Sequence, residues 1–353
     1  ENEAREILTG VALSANWLVA DKLGNIGAQQ SGIFPIRRGG GLLPLPAWEP
    51  ENHWQGFHGP DKLVSQRNPP KGYLLSANQC NNLVKGPKSV NLPMARYRYE
   101  RIDSLLSNLN NTNLEDMKRI QSDLYSLQAK AFLDRLRPFI QNSGAVEILN
   151  KWDLRYDKNS KGAVFFERFY RKLIERVFGT HFGQQHTAYL LDATPLHAEY
   201  FGHFDRILLA EDLAEEEREL WFPNGINETY RQVIKEVVQE FDTQRVSRWG
   251  ELNKIYFKHV LWGNTWPFRN KYNRDAVALE GSRATVSQGN LFHSHRRNTS
   301  FGPSWRFLTD LKSSESFSAL PGISQDTDSP LVDEEIERWR HYRYKKLAPP
   351  HTQ

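Results

Sequence analysis

With 353 residues, of which 39% are hydrophobic and 25% charged, the chain can bury a sizeable core and is neither low-complexity nor disordered. Its 46 Lys and Arg against 42 Asp and Glu leave a net charge of +4 dispersed along the sequence, which argues against a nucleic-acid partner. A single cysteine, Cys80, excludes an internal disulfide and a zinc-finger-like site. No apolar run reaches the roughly 18 residues that mark a bilayer span, so no membrane partner is expected.

Glu1 to Arg5 read as the end of a helix, and with neither Met nor a signal peptide in front the chain is expected to be a processed or truncated piece of a longer protein. Residues 12–20 alternate, Leu13, Ala15, Trp17 and Val19 on one face and Ser14, Asn16, Leu18 and Ala20 on the other, the period of a strand. A turn at Asp21 to Asn25 returns residues 26–34 as a second strand, so 12–34 reads as a β-hairpin. From Arg37 to Pro70 the density of Gly and Pro forbids long helices and predicts an ordered, Trp-bearing loop, followed by a strand over 73–77.

Beyond Pro93 the pattern turns helical. Arg98 to Leu109 forms one helix, and 113–137 another, with Leu114, Met117, Ile120, Leu124, Leu127 and Ala131 at helical spacing. Thr112 or Asn113 caps the second, with Asp116 in its first turn. A third helix over 162–178 stops at Gly179; helices at 227–241 and 250–261, strands at 304–311 and 316–320, and a helix at 331–341 follow. Strands at both ends with helices between predict an α+β fold whose sheet is completed by the C-terminal segment. The expected division is 1–95 sheet-forming, 96–270 mainly helical, and 271–353 returning strands and a helix that complete the core.

The stretch NPPKGYLLSAN, residues 68–78, is a rigid turn followed by a short apolar run that ends on an amide side chain, Asn78, and twenty residues later comes Arg98. A side-chain amide N–H fixed at a strand end stabilises the oxyanion of a tetrahedral intermediate without adding charge. Asn is also common in turns, so the local pattern alone leaves both readings of Asn78 open. Arg98 is likewise either a site residue or a structural charge on a helix.

In order, ANWLVADKLGNIGAQQSGIFPIRRGGGLLPLPAW (15–48), WQGF (54–57), NPPKGYLLSAN (68–78) and the run from Arg98 through Ile102, Asp103, Leu105 and Leu106 resemble the penicillin acylase family of N-terminal-nucleophile hydrolases. The likeness continues through residues 151–177, Trp249-Gly250, the segment from Gly302 to Phe307, Leu320 to Ser324, Ser329-Pro330 and Trp339, with 180–245 the poorest part. The resemblance implies part of an αββα sandwich with a helical insertion, corresponding to the C-terminal part of the large subunit. It also implies cleavage of a linear amide through an acyl-enzyme on an N-terminal Ser that this sequence lacks. By motif, Asn78 falls on the oxyanion donor and Arg98 on the arginine that positions the site. The implied substrates are β-lactam side-chain amides or N-acyl-homoserine lactones. The implied partners are the small subunit and the N-terminal part of the large one, in a periplasmic or secreted setting.

The family's calcium site takes a backbone carbonyl that would fall near Gly41 and an Asp between the Asn and the Arg, but no acidic residue lies between Asn78 and Arg98 here, so no metal ligand is expected. His293 and His295, beside Arg296 and Arg297, read as a basic loop, Cys80 as a buried inert thiol, and the acidic run 211–219 as a solvated face. Trp17, Trp48 and Trp54 are either core or the wall of an acyl pocket. The rival to a hydrolase is a non-catalytic binding or scaffold protein derived from the same fold.

Overall fold

The structure, a computed structural model, describes residues 2–41, 43–80, 87, 93–140, 144–259, 261–289, 298–299, 301–322 and 329–348. Two compact units divide it, residues 1–110 with 311–313, and residues 111–310 with 314–353.

The first unit opens with helix α1 (Asn2–Thr9), followed by strands β1 (Ala15–Ala20), β2 (Ile26–Ser31) and β3 (Ser65–Arg67), which form an antiparallel sheet in that order. The register pairs Ala15 with Ser31 and Ala20 with Ile26, as the hairpin pattern requires. Asp21 shapes the turn by accepting from the backbone N–H groups of Leu23 and Asn25 at 2.8 and 2.9 Å. Such local side-chain bonds are the reason Asp is favoured in turns. The described residues of 37–64 hold short 3₁₀ turns and no longer helix, as their Gly and Pro content predicts. The unit ends in helix α2 (Tyr97–Ser107). Among its described residues few apolar side chains are buried, Phe34, Leu63 and Ala77 among them.

The second unit carries most of the helix. In chain order it contains α3 (Leu114–Gln121), α4 (Leu127–Leu136), α5 (Gly144–Asn150), α6 (Lys161–Phe182), α7 (Gln184–Ala193), α8 (Gly202–Leu208), α9 (Glu215–Trp221), α10 (Ile226–Thr243) and α11 (Trp249–Leu252). Then come β4 (Lys254–Phe257), α12 (Arg269–Tyr272), β5 (Arg274–Ala278), β6 (Asn298–Thr299), β7 (Arg306–Asp310), β8 (Glu315–Ala319), α13 (Leu331–Arg340) and β9 (Lys345–Lys346). Helix α6 is the axis of the core: Phe165, Phe166, Phe169, Tyr170, Leu173 and Ile174 are wholly inaccessible, so it is apolar on nearly every side. Helix α10 packs a stripe of Tyr230, Val233, Ile234, Val237 and Phe241 onto it, and Phe165 and Phe241 meet with ring centroids 4.7 Å apart. Two buried carboxylates in this core are paired. Glu167 accepts from Arg283 and from the Tyr156 hydroxyl, both at 2.9 Å, and Asp205 accepts from Tyr170 and Gln128.

The α+β class holds, but several elements differ from the sequence expectation. The strands form three separate three-stranded sheets among the described residues, β1-β2-β3, β5-β4-β6 and β7-β8-β9, so β7 and β8 do not extend the N-terminal sheet. Residues 73–77 are not a strand; the ladder that was expected there is made by Ser65–Arg67. The predicted 113–137 helix is broken between α3 and α4, where Asp123 accepts from the Tyr125 N–H and Ser126 caps α4 through the Ala129 N–H. Short polar side chains that bond their own backbone compete with helix continuation. Asn113 is the cap of α3, in a reciprocal box with Asp116. Helix α6 runs through Gly179 and stops at Gly183, whose φ of 79° only glycine adopts freely. The 250–261 helix shrinks to α11, and buried Asn253 turns the chain into β4 by donating to the Leu279 carbonyl.

Gly162 sits inside α6, where alanine would ordinarily add up to about 1 kcal/mol of helix propensity. Here a Cβ would lie 2.3 Å from Cγ of Trp152, at the rigid root of that side chain. Gly162→Ala is therefore expected to lower stability by about 1–3 kcal/mol rather than raise it, measured by denaturant unfolding.

Candidate active site

Asn78 and Arg98, far apart in sequence, meet in the first unit. From the first turn of α2, the Nη2 group of Arg98 donates to Oδ1 of Asn78 at 2.8 Å, to the Ala77 carbonyl at 2.9 Å, and lies 3.1 Å from the Met94 sulfur. All three acceptors are neutral. A guanidinium has donors and no acceptor, so the Asn78 amide must turn its oxygen to Arg98 and its N–H₂ away from it. The backbone is shaped for this as well. Asn78 has φ of 65°, a left-handed conformation Asn tolerates better than most residues, and its carbonyl accepts from the Met94 N–H at 3.1 Å. Asn78 is exposed, while Ala77 beside it is buried. Burial draws the Arg98 guanidinium below its usual value, yet arginine stays a cation in proteins.

Helix α2 holds the other end of the 68–78 segment too. Asp103 accepts from Lys71 at 3.1 Å and from the Tyr73 hydroxyl at 2.8 Å, and the Lys71 ammonium stands 4.5 Å from the Tyr73 ring centroid. These bonds replace the strand ladder that the apolar run predicted. At the head of the segment, Asn68 exchanges hydrogen bonds with the Ile26 backbone at 2.8 and 2.9 Å and so ties the turn to β2. Lys71 and Tyr73 were not singled out from the sequence. Their signal is only that a cation and a phenol stand in the same motif that carries Asn78, and nothing in periodicity pairs them with Asp103. A pocket of about 120 Å³, lined in part by Trp17, Gln29, Leu74, Leu75, Gln79 and Tyr99, lies beside the segment.

Other sequence candidates fare differently. Cys80 is exposed, not buried. Trp48 and Trp54 are exposed rather than core, at 83% and 62% of their surface, on a loop with little apolar cover; Trp17 is half-buried and donates to Ser31. Leu213 apart, the acidic run is solvent-facing through Glu219. His293 and His295 lie outside the described residues. The calcium site implied by the resemblance does not fit this chain: no carboxylate stands between Asn78 and Arg98, and no cluster of His, Cys, Asp and Glu suited to a metal occurs among the described residues.

The profile of the penicillin amidase family matches residues 2–350. The chain belongs to that family. Among curated relatives, the acyl-homoserine lactone acylase QuiP of Pseudomonas fluorescens is 22% identical over 94% of this chain and 43% of its own length. QuiP of Pseudomonas aeruginosa is 32% identical over a shorter stretch, 38% of this chain and 15% of the relative. The chain thus spans less than half the length of the curated relatives it matches. Among solved structures, a thermostable penicillin G acylase from Alcaligenes faecalis superposes with a TM-score of 0.71 at 17% identity, covering 99% of this chain and 67% of that one, a likeness of fold.

The hydrogen bond from Tyr73, joined by that from Lys71, holds the Asp103 carboxyl below the usual carboxylate range. A depressed carboxyl pKa adds stability that is full above the ordinary Asp value of about 3.9 and is lost as pH falls below it. Since Asp103 keeps 39% of its side-chain exposure, the gain is under about 1 kcal/mol. Asp103→Asn is expected to speed amide hydrogen exchange in residues 71–78 at pH 7, with the difference from the parent shrinking as pH falls below the ordinary Asp value and through the depressed Asp103 value.

Proposed function

We propose that the chain is part of an amide hydrolase in which Asn78 donates its side-chain N–H to the oxyanion and Arg98 positions that amide. The observation that carries this reading is the 2.8 Å bond from Arg98 to Oδ1 of Asn78, which turns the N–H₂ of this exposed residue away from the arginine, with no hydrogen bond to it among the described residues. The nucleophile is an N-terminal Ser supplied by a part of the protein outside this sequence. Its hydroxyl oxygen adds to the substrate carbonyl while its α-amine takes the proton. Collapse of the tetrahedral intermediate expels the amine product and leaves an acyl ester, which water hydrolyses to the acid. Asn78 acts when negative charge gathers on the carbonyl oxygen, so its contribution is to turnover more than to binding.

N-acyl-homoserine lactones are the favoured substrates, in keeping with the names of the curated relatives, and β-lactam side-chain amides the second class. In this reading the chain forms the later part of a large subunit, within an αββα sandwich completed by the preceding part of that subunit and by the small subunit. The exposed apolar residues of the first unit, Leu18, Val19, Trp48, Trp54 and Phe57 among them, suit such a cover. A periplasmic or secreted location goes with it; among the described residues no helix is long and apolar enough to cross a membrane.

In the full-length protein, Asn78→Ala is expected to preserve the fold and lower kcat by about 10²-fold or more, followed as free amine released from an N-acyl-homoserine lactone and from penicillin G. A kcat within a few-fold of the parent removes Asn78 from the oxyanion site. Arg98→Lys is expected to lower kcat by about tenfold or more, since one ammonium does not reproduce the planar fork that orients the amide. If the unaltered full-length protein turns over neither substrate, the non-catalytic binding or scaffold reading takes the place of this one.

A further inference from the structure

Two arginines in the second unit are buried to the same degree, each with 5% of its surface exposed, yet their surroundings differ. Arg283 meets the buried carboxylate of Glu167 at 2.9 Å. Arg306, the first residue of β7, meets none among the described residues: its Nη1 donates to the backbone carbonyl of Trp339 at 2.6 Å. Its guanidinium lies 4.3 Å from the Tyr342 ring centroid and 5.1 Å from that of Trp339. Stripping a cation of water without an anionic partner is costly, and rings and one carbonyl offset only part of that cost.

Arg306 lines a pocket of about 140 Å³ whose wall also bears Lys158, Arg340 and His341, with Glu280 as the one carboxylate of the lining. Arg340 and His341 are already engaged by Glu337, at 2.8 and 3.3 Å. Lys158 and Arg306 are the cations of the lining left without a carboxylate among the described residues. At about 30 Å³ of liquid volume per water, the space equals roughly four or five waters, room for a phosphate or a short carboxylate. Leu279 and Trp339 add apolar wall, which strengthens any charge pairing inside.

We propose that this pocket binds a small oxyanion, with Arg306 as its buried donor and Lys158 as its exposed one. Nη1 of Arg306 is committed to Trp339, so the other N–H groups of the fork are what it offers, and a carboxylate or phosphate presents oxygens at matching spacing. The site lies wholly in the second unit and does not depend on Asn78 or on the hydrolase reading.

The test is isothermal titration calorimetry of the chain with sodium phosphate and, separately, sodium acetate, at ionic strength matched with sodium chloride. Saturable binding of at least one anion is expected, weakened about tenfold or more by Lys158→Gln or by Arg306→Gln, the loss of one charge-assisted bond. Binding of phosphate alone identifies a phosphate site, and of acetate alone a carboxylate site. Should circular dichroism show that Arg306→Gln unfolds the chain, Lys158→Gln decides alone, because that side chain is exposed and makes no ion pair among the described residues. Absence of saturable heat with both anions overturns the proposal, and so does binding that survives undiminished in every folded variant.

Discussion

The exclusion of water from most of the surface of helix α6 is the constraint on which the second unit depends. A helix apolar on one stripe needs one neighbour; a helix buried over most of its surface needs a shell, and α4, α8, α10 and Trp249 contribute to it here, leaving Arg171, Lys172, Glu175 and Arg176 as an ion-paired outer face. Because α6 also carries Glu167, the shell has to include a cation, and Arg283 is drawn in from more than a hundred residues away. The backbone around Arg283 is then held by further bonds: the Trp249 indole donates to the Gly281 carbonyl at 2.9 Å, and the Gly281 N–H to the Tyr156 carbonyl at 2.8 Å. Ser287 meets the Tyr342 hydroxyl at 2.7 Å, which carries the order out from the core to the ring that stacks beside Arg306. Hydrophobic burial thus sets the position of a polar pocket at the surface.

The first unit works by another principle. Its described residues bury few apolar side chains, and its geometry is written in directional bonds: Asp21 in the hairpin turn, Asn68 between two backbone groups, Asp103 on Lys71 and Tyr73, Arg98 on Ala77 and Asn78. Directional bonds fix orientation more tightly than burial does, and orientation is what an amide donor needs if it is to meet a charge that exists only in the transition state. In the proposed reading Arg98 suits this task because it only donates. The same contact to an acceptor-bearing side chain would leave the amide free to flip and to present its oxygen.

Much of this was legible in the residues. The alternation of 12–20, the turn at Asp21, the cap at Asn113 and the helix over 227–241 each depend on near neighbours in sequence, and each appears close to where local chemistry puts it. The failures share a cause. The run at 73–77 has strand character but joins no ladder among the described residues, and side chains of α2 hold it. Gly179 reads as a stop, yet packing after it carries the helix one more turn, with Phe182 against Phe178 and Trp221. Cys80 and the loop tryptophans have the composition of core residues and stand in solvent, because a residue is buried only if other elements come to cover it.

The ordered blocks of sequence determined the family, the α+β class and the two residues that carry the proposed chemistry, since those are properties of residue type and spacing. Only the tertiary structure decided how those residues act together. That Arg98 turns the Asn78 amide, that Asp103 holds Lys71 and Tyr73, and that Arg306 is buried without a carboxylate are facts about partners distant along the chain. Pairings of that kind depend on which segments folding brings together within each unit, and no local pattern encodes them.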